Sequence, residues 1–195
     1  MKNKKFSLKK EYISSWNYIK SCKSFIWSIV LIFFIFSLIG FFITPSDVVS
    51  KQIMDFLKEL LEKTKGMSAL QLIWFIFSNN IQSSFIGLFS GVFLGISSIF
   101  IALGNGYILG FVASKSVAVD GILSLWRIFP HGIFELPAVF ISLGMGIKLG
   151  TFIFQKYKIK SFVEFIIKSF KAFILIVLPL LITAAVIEGV LIALE

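Results

Sequence analysis

The chain contains a single cysteine, a single histidine and four prolines in 195 residues, and only 15% of its residues are charged. One cysteine, Cys22, excludes an internal disulfide and any site built from several thiolates. One histidine, His131, cannot complete a His-Glu-x-x-His helix or a zinc shell, so no metal is expected. The sequence has no nucleophile elbow, Rossmann fingerprint or glycine-rich phosphate loop. The lone Gly104-Asn105-Gly106 is too short a signal for a nucleotide site. No catalytic residue and no cofactor are expected, and the chain is read as a non-enzyme.

The scarcity of charge carries the fold class. Soluble domains hold about 25% charged and roughly 45–50% apolar residues, whereas this chain is 57% hydrophobic with a mean hydropathy of +0.95. A soluble core could not cover such long, nearly charge-free runs, so lipid is the solvent they require. The sequence predicts an all-α, polytopic transmembrane helix bundle of about five spans with amphipathic interfacial helices.

The formal net charge is +9, and its placement decides what it means. Lys2, Lys4, Lys5, Lys9, Lys10, Lys20 and Lys23 precede the first apolar run, and Lys148, Lys156, Lys158, Lys160, Lys168 and Lys171 surround the gap before the last one. That is the positive-inside pattern of segments beside an anionic leaflet. No zinc spacing, stacking motif or basic recognition helix accompanies it, so no nucleic-acid partner is expected.

Residues 1–24 read as a cytoplasmic amphipathic segment, with Tyr12, Ile13, Trp16 and Ile19 at helical spacing, and residues 25–195 as one transmembrane domain. The expected spans are about 25–44, 69–103, 107–126, 130–154 and 172–194, with residues 69–77 either extending the second span or forming a short segment of their own. Pro45-Ser46-Asp47 ends the first span and caps a second amphipathic helix, and Phe162, Ile166, Ile167 and Phe170 mark a third. Pro179 predicts a kink in the last span. Asn105 is expected at a cytoplasmic turn after the second span. The count places the N-terminus and residues 155–171 in the cytoplasm, and residues 46–66 and the C-terminus outside the cell membrane.

Gly87, Gly91 and Gly95 recur every four residues, the spacing of a glycine zipper on one helix face, and Gly106 with Gly110 and Gly146 with Gly150 repeat the device. Gly104 and Gly106 flank the expected turn. Residues 98–110 align without gaps on 138–150, which in spans two and four would form a parallel repeat.

Asn79-Asn80, Gly91 and Gly95, Asn105-Gly106 with Gly110, the segment Pro130-His131-Gly132-Ile133-Phe134-Glu135-Leu136-Pro137-Ala138, and the Gly144–Gly150 stretch resemble the stage II sporulation protein M family over about residues 69–154. The resemblance implies a small integral membrane protein and, in endospore formers, a membrane partner of cell-wall hydrolases.

His131 and Glu135 stand one turn apart on one helix face, where Pro130 suits the helix start and Pro137 bends the helix and frees the carbonyl of residue 133. The expected topology brings Asn79, Asn80, Arg127, His131, Glu135 and Glu188 to the outer side. Glu135 is expected to be the keystone, shielded from lipid and bonded to Asn79, Asn80, Arg127 or His131, because an ionisable group in a span costs about 2.5 kcal/mol or more unless paired or hydrated. Such a cluster is either a structural lock or a transport site.

The leading functional expectation is a non-enzymatic membrane scaffold or localisation factor that engages the lipid bilayer and envelope or membrane protein partners, with a homo-oligomer left open. The alternatives are a small transporter or channel with an outward-facing polar site and, more remotely, an intramembrane metalloprotease. In a Cys22→Ser background, single cysteines at positions 51 and 158 should react with impermeant thiol reagents from opposite sides of the membrane. Reaction from the same side would refute five spans in this orientation.

Overall fold

The computed structural model describes residues 7–127 and 129–194; of residues 126, 127, 129–131, 193 and 194 it describes the backbone alone. Eight α-helices follow in order: α1 (Leu8–Ser21), α2 (Lys23–Phe42), α3 (Asp47–Thr64), α4 (Ala69–Phe89), α5 (Ile96–Asp120), α6 (Phe129–Gly150), α7 (Lys158–Ala172) and α8 (Leu178–Leu194). Among the described residues there is no strand. Among the described residues, Lys23–Phe42, Ala69–Val92, Ile96–Asp120, Gly132–Phe154 and Lys158–Ile192 are five helical stretches long and apolar enough to cross a membrane.

The second span differs from its expected bounds. Ala69 to Phe77 belongs to one continuous helix that begins at Ser68, where Ser68 and the Gln71 side chain form a reciprocal capping box. The chain then reverses at residues 93–95, not at Asn105. Leu94 (φ 59°) and Gly95 (φ 73°) both adopt the left-handed region there, which costs an L-residue about 1–2 kcal/mol. Gly104, Asn105 and Gly106 lie inside α5, and Asn105 is exposed on its surface. The local turn signal loses because Gly106 is needed elsewhere: a Cβ on it would collide with the Phe33 carbonyl of α2. The shift also places residues 98–110 in the third span, which runs opposite to the fourth, so the proposed parallel repeat does not exist.

Close backbone approach joins the spans. Gly40 meets the Tyr107 carbonyl, Gly106 the Phe33 carbonyl and Gly110 the Ser37 carbonyl, so α2 and α5 approach backbone to backbone where residues 33–41 run beside residues 106–111. Gly91 abuts the backbone of Gly146, and Gly150 lies against Gly91 and Gly95. Gly87 faces Leu143, and Ser98 Oγ donates to the Gly87 carbonyl at 2.8 Å. Gly95 therefore packs from the turn, Gly91 from the short 3-10 turn at Ser90–Val92, and only Gly87 of the three lies on α4 itself. Gly104 has no atom within 4 Å of a built Cβ, so it serves neither turn nor contact.

At one end of the bundle α1 packs on α7. Tyr18 Oη and Ser169 Oγ share a 3.0 Å hydrogen bond, and Lys171 Nζ lies 2.7 Å from Glu11 Oε2. Burial pushes the Tyr18 phenol up, and likewise the Cys22 thiol. Cys22 is fully buried in this seam, so acylation is closed to it in the folded protein. Ile19 also turns inward, while Leu8, Tyr12 and Trp16 of α1 and Ile159, Val163, Ile167 and Phe170 of α7 remain exposed as two apolar stripes. Lys148 Nζ sits 4.9 Å over the Phe165 ring at the same end.

Between α7 and α8 the helix widens into a π turn at Phe173–Val177, immediately before Pro179. Proline has no N–H for the carbonyl of residue 175 and its ring crowds that group, and the wider turn relieves both.

Replacing Gly110 by Leu forces α2 and α5 apart and should cost about 1–3 kcal/mol or prevent assembly. Gly104→Ala should be neutral or stabilise by up to about 1 kcal/mol, since alanine is the better helix former. Thermal unfolding of both variants in nanodiscs checks the contrast; equal losses would show that α2 and α5 do not rely on this approach.

Candidate functional site

Three spans, α4, α6 and α8, carry the buried Asn80, Ser84 and Ser142 together with Glu135 and Glu188. On α4 the stripe Leu72, Ile76, Asn80, Ser84 and Leu88 is buried throughout, and its one-turn spacing turns every member toward the neighbouring helices. On α6, Glu135, Ala138, Ser142, Met145 and Leu149 share one face by the same periodicity; Glu135 is half-buried and the other four are buried. On α8, Glu188 follows the buried Leu181, Ala184 and Ala185 and precedes the buried Gly189.

Relative heights follow from the glycine contacts. Gly87 against Leu143 and Gly91 against Gly146 put α4 and α6 in a register in which Asn80 stands level with Glu135. Gly189 against Ile73 places Glu188 higher, nearer the end that carries α3. The three helices thus bring Asn80, Glu135 and Glu188 to one seam, with Ser84 and Ser142 farther in. Glu135 and Glu188 both interact with their surroundings. Ser84 Oγ and Ser142 Oγ are buried and have no hydrogen-bond partner among the described residues. Each such hydroxyl costs about 1–3 kcal/mol if nothing satisfies it.

Sequence reasoning and structure part at several positions. Asn79 is exposed on α4 and leaves the cluster, because adjacent residues on a helix are about 100° apart and only Asn80 can face the seam. The side chains of Arg127, Pro130 and His131 lie outside the described residues; their backbones belong to the segment before α6 and to its first turn. Pro137 sits inside α6 on its exposed side, where a missing N–H is farthest from the seam. Ser84 and Ser142 went unnoticed in the sequence, although Asn80 to Ser84 is one turn and Glu135 to Ser142 two. Serine is so common in spans that the spacing stands out only when both faces are known to be buried.

A bundle of five membrane-length helices, joined at glycines and carrying a polar seam between three of them, defines a polytopic helical membrane protein. The chain belongs to the stage II sporulation protein M family, whose model it matches over residues 29–191. An uncharacterized protein of Methanocaldococcus jannaschii is 29% identical over 170 residues, covering 85% of this chain and 76% of that protein. No solved structure matches the chain.

Asn80→Leu removes a buried amide from the seam and should lower stability by about 1–3 kcal/mol, while Asn79→Leu, on the exposed face of α4, should be neutral or mildly stabilising in lipid. Unfolding of the two variants in the same nanodiscs reads the difference. A larger loss for position 79 would invert the assignment of faces.

Proposed function

We propose that the protein is a non-enzymatic membrane scaffold that docks an envelope or membrane protein partner on α3. One observation carries this reading: α3 is an 18-residue amphipathic helix of which no residue is buried. Its apolar stripe, Val49, Ile53, Phe56, Leu57, Leu60 and Leu61, lies opposite Lys51, Asp55, Lys58, Glu59, Glu62 and Lys63, with Lys63 bonded to Glu59 at 2.7 Å. That bond holds the Glu59 carboxyl below the usual carboxylate range. A mixed-charge polar face has little attraction for an anionic bilayer, whereas an apolar stripe of this length suits a groove on a protein. The α1 and α7 lysines support a cytoplasmic reading of the opposite end of the bundle, and on that reading α3 and the C-terminus lie outside the cell membrane.

The second reading, a small transporter or channel, is favoured by the seam itself, since buried carboxylates and hydroxyls in spans mark ion and proton routes in other proteins.

A photoreactive residue at position 56 or 60, irradiated in native membranes, should yield an adduct to a distinct protein, and Leu57→Asp with Leu60→Asp should abolish it without changing the unfolding temperature. Adducts to lipid alone would overturn the docking role of α3.

A further inference from the structure

The exposed face of α4 is polar at the depth where a bilayer holds no water. Asn79, Gln82 and Ser83 are all exposed, and they stand near the middle of the membrane-length stretch Ala69–Val92, the least apolar of the five. Ser83 answers itself, since its hydroxyl donates to the Asn80 carbonyl at 3.2 Å. The carboxamides of Asn79 and Gln82 make no hydrogen bond among the described residues. An amide left bare in hydrocarbon forfeits its hydrogen bonds outright, because acyl chains offer neither donor nor acceptor. The exposed stripe of α2 shows what a lipid-facing surface of this molecule looks like: Trp27, Leu31, Phe34, Ile35 and Leu38, with no amide among them.

A third amide stands at the same depth on the neighbouring helix. Ser98 Oγ donates to the Gly87 carbonyl, and a Cβ on Gly87 would lie 3.6 Å from Ile101 Cδ1, so these residues fix how α4 and α5 run side by side. Counting seven residues back from Gly87 gives Asn80, and seven on from Ser98 gives Asn105; both climb about 10 Å. Asn105 is thus level with Asn79 and Asn80, is exposed, and likewise makes no hydrogen bond among the described residues. On α4 itself, Phe75, Asn79, Gln82 and Ile86 follow one another at alternating steps of four and three, the spacing of a seam that packs against another helix. A shallow groove of about 490 Å³, lined by Met67, Leu70, Gln71, Trp74, Phe75 and Ser78, continues the helix surface toward the α3 end.

We infer that the exposed face of α4 is the contact between two copies of this chain. Copies inserted in the same orientation are related by a two-fold axis along the membrane normal, and such an axis keeps every residue at its own depth. Asn79 and Gln82 therefore meet the same two residues of the second copy. A carboxamide carries both donors and an acceptor, so it is its own complement, and the absence of charge from the face gives an ion no reason to occupy it. Phe75 and Ile86 close the contact above and below the amides, and Asn105 borders it on α5. This stands apart from the scaffold reading, because it uses the membrane-embedded surface of α4 and leaves α3 free.

Cross-linking and dilution test it. In a Cys22→Ser background, Gln82→Cys and Ile86→Cys oxidised in native membranes should each give a disulfide-linked dimer of this chain, whereas Leu31→Cys, at an exposed apolar position of α2, should not. No dimer from either α4 position, or more dimer from position 31, would overturn the α4 contact. Association itself is read by single-molecule photobleaching of labelled protein diluted into liposomes. The unmodified protein should pass from two copies to one as its density in the lipid falls, and Asn79→Leu with Gln82→Leu should move that transition to about tenfold higher density. The loss is one of association, so the unfolding temperature of single copies in nanodiscs should not fall. An unmoved transition would show that the amides do not hold the copies together, and protein that is single at every density would remove the dimer altogether. Fast reaction of Gln82→Cys with an impermeant charged thiol reagent, at densities where the protein is paired, would reveal a water-filled crevice in place of a packed contact and would equally defeat the inference.

Discussion

Lipid gives apolar helices no reason to leave it, since a leucine is as well solvated by acyl chains as by another leucine. Whatever holds these five spans together must therefore be gained from contacts that lipid cannot make, and here the closest are backbone on backbone. Gly110 at the Ser37 carbonyl, Gly106 at the Phe33 carbonyl and Gly91 on Gly146 bring helix axes nearer than any side chain would allow. Dispersion falls off so steeply with distance that such proximity gathers many small attractions at once. The same contacts set the register of α4 on α6, and with it the height at which every polar residue of the seam meets its neighbours.

The two ends of the bundle answer to different solvents. At the lysine-rich end α1 and α7 clasp through Tyr18, Ser169, Glu11 and Lys171, and each offers an apolar stripe beside its cations, as a helix lying in an interface does. At the other end α3 carries mixed charge and stands unburied. The proposed scaffold would use this asymmetry, with one end tied to the bilayer and the other free to bind a partner.

Between the ends, the family segment from Pro130 to Ala138 opens α6 and delivers Glu135 to the height of Asn80. A carboxylate this far into a span has to be answered by protein or by water. The structure answers with a seam whose polar residues come from three helices, set among buried apolar side chains. That arrangement suits either reading of function: a scaffold retains it as a lock on helix orientation, and a transporter would move it.

The number of spans, their all-helical character and the grouping of lysines at one end were legible in the sequence, because each depends on composition over some twenty residues and on the cost of charge in hydrocarbon. The Pro179 distortion and the amphipathic helices were legible too, from a missing N–H and from a 3.6-residue period. The place where span two turns was not. Gly104-Asn105-Gly106 is the stronger local turn signal, yet residues 93–95 make the turn, because α2 requires a bare backbone at Gly106 and the Gly150 region of α6 packs against Gly91 and Gly95. Which asparagine faces the seam was likewise undecidable, as Asn79 and Asn80 are chemically identical and differ only by the 100° that tertiary packing selects. Ser84 and Ser142 were missed for the same reason: a helix turns its own residues into stripes, but only the helix beside it determines which stripe is the inside.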